Sequence, residues 1–451
     1  MNPAPLGWPN IVRLGLVQTA LGAIVVLMTS TINRVMVVEL ALPAMVPGLL
    51  VASHYGVQIL RPAWGYGSDV GGRRTPWIIG GMAVLALGGV GAALGTALAA
   101  TSSILGLVLA AVAFLFVGVG AGAAGTSVLA ILASRVAPNR RAAAATTVWV
   151  MMIFGFAITA PLAGHFLDPF SNARLIAVTA TVSGMAFLLA CVAVWGLEAG
   201  ANAQSRQTAT HAKPSFRDAF LQVWSEPSAR QFTVFIFVSM LAYSAQELLV
   251  EPFAGLVFRM TPGVTTKLAG VQHMGVLIGM ICVAVAASAI GGRTLGSLRM
   301  WTIAGCLASA VSLAAIAASG LLGWDPLALR ASVFALGLSN GMFAVAAIGS
   351  MMGLAGSGAG SREGTRMGLW GAAQAVAFGL GGLFATVLID IARTFEVSPV
   401  RAYALVFIVE ALAFVVSAIL ANRIPQGEPQ ESPLGQQRLA RKNQASVVTQ
   451  N

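Results

Sequence analysis

The sequence predicts an all-α polytopic membrane protein with twelve transmembrane helices in two parallel six-helix repeats. Composition, the spacing of the apolar runs and an internal repeat support this fold class. Hydrophobic residues make up 57% of the 451 residues and charged residues only 9%. A soluble domain carries about 25% charged residues. A chain with so few charges cannot cover itself with water-compatible surface, so most of its length is expected to lie in lipid.

The apolar runs set the number of spans. Each is about 20 residues long, enough to cross a bilayer core of roughly 30 Å as a helix. Helices are required because backbone polar groups in lipid must be paired within the protein. The 51 glycines favour close helix packing in a membrane. The predicted spans are 13–33, 41–63, 76–99, 103–133, 143–164, 173–197, 231–256, 265–289, 295–320, 327–355, 365–391 and 400–422.

Hydrophilic segments divide the chain into its predicted parts. These are an N-terminal six-helix bundle (1–197), a cytoplasmic linker loop (198–230), a C-terminal six-helix bundle (231–422) and a polar, disordered cytoplasmic tail (423–451). With both termini in the cytoplasm, 19 of the 26 Lys and Arg residues fall on the inner side and 7 on the outer side. This bias follows the positive-inside rule. It accounts for the net charge of +11 without a nucleic-acid partner.

The two halves of the chain repeat one another. HYGV at 54–57 returns as HMGV at 273–276, and VGGRRT at 70–75 returns as IGGRTL at 290–295. A third correspondence joins Arg141, Trp149 and Asp168 to Arg362, Trp370 and Asp390. The offsets are 219 to 222 residues, in the same order along both halves. The repeat predicts parallel bundles related by an axis along the membrane normal.

The stretch GYGSDVGGRR at 65–74 resembles the loop between spans two and three of the major facilitator superfamily. The resemblance implies a latch between helices that separate during alternating access. Its residues here are Gly65, Asp69, Gly72, Arg73 and Arg74. In the second half Ala289 stands at the position of the Asp, so only one latch is expected to be intact. The alternative is a basic loop that serves topology alone.

Several further stretches resemble one branch of that superfamily, the PucC family of bacteriochlorophyll-delivery proteins. They are TINRVMVVEL at 31–40, RPAWGYGSD at 61–69, QELLVEPFAG at 246–255, RMGLWGAAQ at 366–374 and YALVFIVEA at 403–411. The short SDVGGRR loop resembles the members sometimes labelled a bacteriochlorophyll synthase subunit.

The resemblance implies a protein of the bacterial inner membrane, including its intracytoplasmic photosynthetic part, that handles bacteriochlorophyll during pigment synthesis and light-harvesting complex assembly. The implied cargo is bacteriochlorophyll or its precursor. The implied partners are bacteriochlorophyll synthase, light-harvesting polypeptides and membrane lipid. Catalysis is not expected, because pigment prenyl transfer needs paired Asp-rich motifs and the 15 acidic residues form no such pair. The alternative is a proton-coupled exporter of a small hydrophobic molecule.

Two histidines are the candidate pigment ligands. His54 and His273 each follow a proline, Pro43 and Pro262, by 11 residues. At about 1.5 Å per residue both lie roughly 16 Å deep, near the membrane midplane. A neutral imidazole is a common metal ligand, so both are candidate axial ligands for the Mg²⁺ of a chlorin, with Gln58 as a further candidate. The alternative is a pair of core histidines bonded to neighbouring helices.

The acidic and basic groups at the ends of spans one and seven form a candidate outer gate. Removing the repeat offset brings Glu251 near Asn33 and Arg34, with Glu247 one turn away. Opposite charges at these positions predict a pair that closes the path in one state, or else a static pair that fixes helix register. Glu247 is also the carboxylate that proton coupling would use. Asp390 and Glu410 are expected to be interface anchors rather than proton carriers.

Overall fold

The computed structural model describes residues 6–61, 64, 73–137, 140–198, 224–286, 297–357 and 363–423. Three predicted latch residues, Gly65, Asp69 and Gly72, lie outside the described residues, as do the tail and most of the linker. Arg73 and Arg74 are described.

The described chain is helical. The helices are α1 (Trp8–Val26, continued by π-helical turns Leu27–Ile32 and Val35–Glu39), α2 (Met45–Val57, then a 3-10 turn Gln58–Leu60), α3 (Thr75–Ala99), α4 (Ser103–Arg135), α5 (Arg141–Leu167), α6 (Asn172–Val194), α7 (Pro227–Phe258), α8 (Pro262–Ala286), α9 (Leu298–Leu321), α10 (Pro326–Ser357), α11 (Glu363–Thr394) and α12 (Pro399–Arg423).

The twelve predicted helices are confirmed, and the largest changes in boundaries are at the first, second and seventh helices. Eleven are long and apolar enough to cross a membrane, and the twelfth, Met45–Leu60, is a shorter apolar helix. The first span is longer than predicted, Trp8–Glu39, because its π-helical turns continue it. Helix α7 begins at Pro227, inside the predicted linker, since proline is favoured in the first turn of a helix.

Two bundles, α1–α6 and α7–α12, each enclose an apolar core. The bundles meet along two seams, where α2 packs on α11 and α5 packs on α8. The repeat relates these seams, because α8 corresponds to α2 and α5 corresponds to α11. The seam of α2 with α11 and the seam of α8 with α5 are therefore equivalent. A twofold axis that exchanges the two bundles would carry one seam onto the other.

Glycines bring α3 and α4 into backbone contact. Gly81, Gly88 and Gly95 recur every seven residues along α3. A Cβ atom on Gly81 would lie 2.7 Å from the backbone nitrogen of Ala124, and one on Gly88 would lie 2.7 Å from that of Val117. Lipid gives no hydrophobic drive to helix association, so membrane helices gain stability from such close packing.

Substituting Gly81 by Ala is expected to destabilise the protein by about 1–3 kcal/mol, because the new methyl group meets rigid backbone. The neighbouring Gly80 is the matched control, since a Cβ there has no heavy atom within 4 Å. We expect Gly80→Ala to be neutral or slightly stabilising. Thermal unfolding in mild detergent measures both. An equal loss in the two variants would contradict the packing explanation.

Candidate functional site

His54 is held in a chain of side-chain contacts on α2. Its ring is 4% exposed, and its Nε2 lies 3.0 Å from the Nε2 of Gln58. Arg61 donates to the Oε1 of Gln58, which leaves the amide NH₂ of Gln58 to donate to His54. The imidazole lone pair of His54 is therefore already used. Its Nδ1 is buried without a hydrogen-bond partner among the described residues.

His273 has a different arrangement on α8. Its Nδ1 lies 2.8 Å from the carbonyl oxygen of Ala269, one turn earlier. An Nδ1–H that donates to this carbonyl leaves the lone pair on Nε2, and metal-binding histidines are commonly oriented in this way. Phe156 of α5 meets the ring edge-on, with centroids 4.8 Å apart. His273 is 8% exposed.

The two histidines do not share one site. The His54 backbone packs on Gly118 of α4 within its own bundle, whereas His273 contacts Phe156 of α5 at the seam of α5 and α8. His273 lies near the middle of α8, whereas His54 lies in the last turn of α2. The side chains of His54 and Gln58 bind one another, whereas His273 bonds to the Ala269 carbonyl through Nδ1.

Asn33 completes a broken hydrogen bond in α7. We call the end where α1 meets α2 and α7 meets α8 the distal end. Near it, the Nδ2 of Asn33 donates to the carbonyl oxygen of Leu248 at 2.8 Å. Pro252 lies four residues after Leu248 inside α7 and has no N–H to give. Asn33 supplies the missing donor from the other bundle.

Arg34 caps the end of α7. The side chain is 2% exposed, and its Nη2 donates to the carbonyl oxygen of Met260 at 2.7 Å. Its ion pair is with Glu39 of its own helix. The π-helical turns explain this choice, because their i to i+5 spacing places Glu39 beside Arg34. A cation at the carbonyl end of a helix is favourable.

The predicted ion pair between Arg34 and Glu251 is not found among the described residues, because Arg34 pairs with Glu39 instead. Glu251 is 2% exposed and faces the Ser30 and Thr265 side chains, with Arg34 as an electrostatic neighbour. Among the described residues, however, it forms no ion pair within 4 Å. The repeat offset places Glu251 near Arg34. It carries no information on the π-helical turns, which bring Glu39 closer to Arg34 than Glu251 is.

Two aspartates join the bundles at the distal end. Asp390, at the end of α11, accepts from the backbone N–H groups of Ala44 (3.0 Å) and Met45 (2.7 Å), where α2 begins. Asp168, at the end of α5, accepts from the N–H of Gly263 at 3.3 Å, where α8 begins. A carboxylate at a helix N-terminus is favourable. The repeated aspartates thus make the same contact on both seams. Asp390 anchors the interface between the bundles, whereas the Glu410 carboxylate is buried without a hydrogen-bond partner among the described residues.

At the opposite end, Glu198 holds the start of α3. Its carboxylate accepts from the N–H groups of Arg74 at 3.0 Å and Thr75 at 2.8 Å. Arg74 also donates to the carbonyl of Ala130 at 3.1 Å and the hydroxyl of Ser134 at 2.5 Å. Burial raises the pKa of the Glu198 carboxyl, but the hydrogen bonds from Thr75 and Arg74 lower it by more, so the pKa falls below its ordinary value. Sequence reasoning missed Glu198; its signal is a lone acid directly after an apolar run.

An aromatic–acidic cluster lies where α2, α7 and α11 meet; its residues are Tyr55, Tyr243, Glu247 and Phe378. The Phe378 ring centroid is 5.3 Å from that of Tyr55 and 5.7 Å from that of Tyr243. Glu247 is an electrostatic neighbour of both tyrosines, and all four side chains are half-buried. The His54 ring packs edge-on against Tyr55 at 4.7 Å. Glu247 therefore belongs with this cluster rather than with the contacts of Arg34.

Sequence reasoning did not find the three aromatic members of this cluster. The available signal is that the whole sequence has four tyrosines, and two of them, Tyr55 and Tyr243, stand in the middle of apolar spans.

Comparison with known protein families shows which family the chain belongs to. The family model described as PUCC protein matches residues 31–428. The chain belongs to the PucC family. Within the family, the Bacteriochlorophyll synthase 44.5 kDa chain of Rhodobacter capsulatus is 52% identical over 419 residues, which cover 93% of this chain and 96% of that protein. Protein PucC of Rhodobacter capsulatus is 32% identical over 91% of each chain.

Solved structures show the fold of this PucC-family chain. The nucleoside transporter NupG superposes with a TM-score of 0.68 at 13% identity, covering 92% of this chain and 99% of that one. A D-xylose-proton symporter gives a TM-score of 0.67 at 13% identity, covering 93% and 98%. The major facilitator fold is thereby confirmed.

Substituting Asn33 by Ala is expected to cost about 1–3 kcal/mol of stability, because it leaves the buried Leu248 carbonyl unpaired. Pro252→Ala restores an N–H within α7, so the double variant is expected to recover most of that loss. Thermal unfolding in detergent of the two single variants and the double variant forms a complete cycle. Losses that simply add would contradict the assigned role of Asn33.

Substituting Glu198 by Ala is expected to cost about 1 kcal/mol at neutral pH, as for other residues that cap a helix N-terminus. Because the folded pKa of Glu198 is lowered, its contribution is fully present above the unfolded pKa of about 4.3. It is lost as the pH falls through the lower folded value. The difference in Tm between wild type and variant should therefore be constant near neutrality and shrink in acid.

Glu198→Gln is the matched control, because it keeps an acceptor oxygen that does not titrate. The difference in Tm between the Gln and Ala variants should therefore not vary with pH. A pH-independent difference for the Ala variant would show that the carboxylate is not the source of the stabilisation.

Proposed function

We propose that this PucC-family protein binds bacteriochlorophyll, or its precursor, within the membrane and delivers it between pigment synthesis and light-harvesting complex assembly. The observation that carries the proposal is the His273 imidazole. Its Nδ1 is held by the Ala269 carbonyl at 2.8 Å, and no described residue bonds its Nε2. That arrangement suits an axial ligand for the Mg²⁺ of a chlorin.

The proposal narrows the predicted ligand set. His273 is the ligand that contacts the pigment magnesium. His54 and Gln58 bond to one another through Nε2 atoms 3.0 Å apart, so neither is proposed as a pigment ligand. The relative named Bacteriochlorophyll synthase 44.5 kDa chain supports a role linked to pigment.

We assign handling rather than catalysis to this chain. Prenyl transfer onto a pigment needs paired Asp-rich motifs, and the 15 acidic residues of the sequence include no such pair. Bacteriochlorophyll synthase and light-harvesting polypeptides are the proposed partners that supply and receive the pigment. The bias of Lys and Arg predicts that both termini lie in the cytoplasm, so the distal end would face the opposite side of the bacterial inner membrane.

Glu247 supports a second candidate function, a proton-coupled transporter. It is a half-buried carboxyl on α7 with no ion pair among the described residues. An unpaired ionisable group within a membrane span is a functional candidate. Glu251 and Glu410 are also unpaired among the described residues but are sealed from solvent, so Glu247 is the group that a transported proton could reach.

The test is the absorption spectrum of the protein purified in mild detergent from a pigment-making host. Wild type should carry a red-shifted chlorin band. We expect His273→Ala to lower the bound pigment by roughly tenfold or more, since even the outer partners of a metal ligand are worth that much. His54→Ala is the matched control and should retain the band.

An undiminished band in His273→Ala would keep pigment handling and return His273 to a packing role. Absence of pigment from the wild type, also after incubation with bacteriochlorophyll, would refute the proposal. Proton flux in vesicles, with Glu247→Gln beside wild type, would then test the second function.

A further inference from the structure

The aromatic–acidic cluster holds three polar groups whose hydrogen-bonding capacity the protein does not use. Among the described residues, the hydroxyls of Tyr55 and Tyr243 and the carboxyl of Glu247 have no hydrogen-bond or ion-pair partner. In a membrane interior such groups need a partner. Their convergence at one junction from α2 and α7 indicates a shared ligand.

These groups also differ from the sealed polar groups of the bundles. The hydroxyl of Tyr403 and the carboxylates of Glu251 and Glu410 are completely buried without a hydrogen bond. By contrast, Tyr243 and Glu247 are half-buried and remain accessible. Part of the surface of Tyr243 and Glu247 is therefore available for a contact with a ligand, unlike that of the sealed groups.

The aromatic rings of the cluster contact one another and together form an apolar surface, which we call the wall. Tyr55 belongs to one bundle, and Phe378 and Tyr243 belong to the other, with centroid separations of 5.3 and 5.7 Å. Aromatic rings favour contact with the face or edge of another ring. The ligand class that matches the wall is therefore a flat conjugated molecule.

The polar groups of the cluster determine which chemical groups the edge of that molecule must carry. A charged carboxylate in a membrane interior costs several kcal/mol unless it is paired or wetted, and no described Lys or Arg lies within 4 Å of Glu247. A neutral Glu247 and two phenols all donate hydrogen bonds. Donors of this kind match carbonyl oxygens on an uncharged ring.

We infer that the aromatic–acidic cluster is a second binding site for the cargo, which receives the carbonyl-bearing rim of a flat macrocycle without using a metal ligand. The inference rests on the proposed function. The cluster lies on the seam of α2 and α11, opposite the seam that holds His273, so it gives the cargo a separate position.

A magnesium-free pigment separates the two sites. Bacteriopheophytin a keeps the macrocycle and its carbonyls but cannot be ligated by His273. The experiment titrates this probe into the purified full-length protein. Fluorescence quenching gives the dissociation constant, and resonance Raman spectra of the bound probe give its carbonyl stretching frequencies.

We expect Tyr55→Phe, Tyr243→Phe and Glu247→Leu each to weaken binding by roughly three- to tenfold, the value of one hydrogen bond. Loss of the hydrogen bond should also raise a carbonyl stretching frequency of the bound probe. Glu247→Gln keeps a donor and should retain the wild-type affinity. Tyr403→Phe, which removes a hydroxyl away from the cluster, is the matched control, and His273→Ala should bind the probe normally.

The outcomes distinguish this inference from the proposed function. Unchanged affinity and carbonyl frequencies in all three deletion variants would overturn the inference, even where magnesium-bearing pigment still binds through His273. Failure of wild type to bind the magnesium-free probe would overturn it as well. Loss of binding in Glu247→Gln would indicate a cationic ligand and would also overturn it. Only failure to bind bacteriochlorophyll itself would refute the proposed function.

Discussion

The backbone hydrogen bonds that helices leave unmade organise this molecule. Lipid offers no partner for a free carbonyl or N–H group, so each interruption of a helix must be completed from another segment. Pro252 frees the Leu248 carbonyl, and Asn33 bonds to it. The first N–H groups of α2 and α8 are bonded by Asp390 and Asp168. Most of the contacts described between the bundles at the distal end supply a hydrogen-bond partner to such a backbone group.

The repeat explains both the likeness and the difference of the two halves. The aspartates retain the same role on both seams, whereas the histidines have diverged. Gln58 lies one turn after His54 and binds its Nε2. At the corresponding place after His273 stands Leu277, which has no amide. His273 bonds instead to the preceding turn through Nδ1, and that single difference leaves Nε2 free.

The fold could be predicted almost completely from the sequence, because apolar length and the shared repeat offset suffice to place twelve helices and pair the halves. The site could be predicted only in part. The offsets located Glu251 near Arg34, but they carry no information on the π-helical turns that bring Glu39 to Arg34 instead. Tyr55, Tyr243 and Phe378 come from three helices, and only packing shows that they meet. Glu198 acts on α3, more than a hundred residues earlier in the chain, a pairing that no local pattern encodes.

The bond from Asn33 to Leu248 makes hydration part of any opening at the distal end. When α1 and α7 separate there, the Leu248 carbonyl loses its donor, and Pro252 prevents α7 from repairing the loss itself. Water is the donor that can replace Asn33, at little energetic cost once it has entered. A dry separation leaves the carbonyl bare in hydrocarbon, whereas a wet one does not. The helices α1 and α7 can therefore separate at low energetic cost only after water has reached the Leu248 carbonyl.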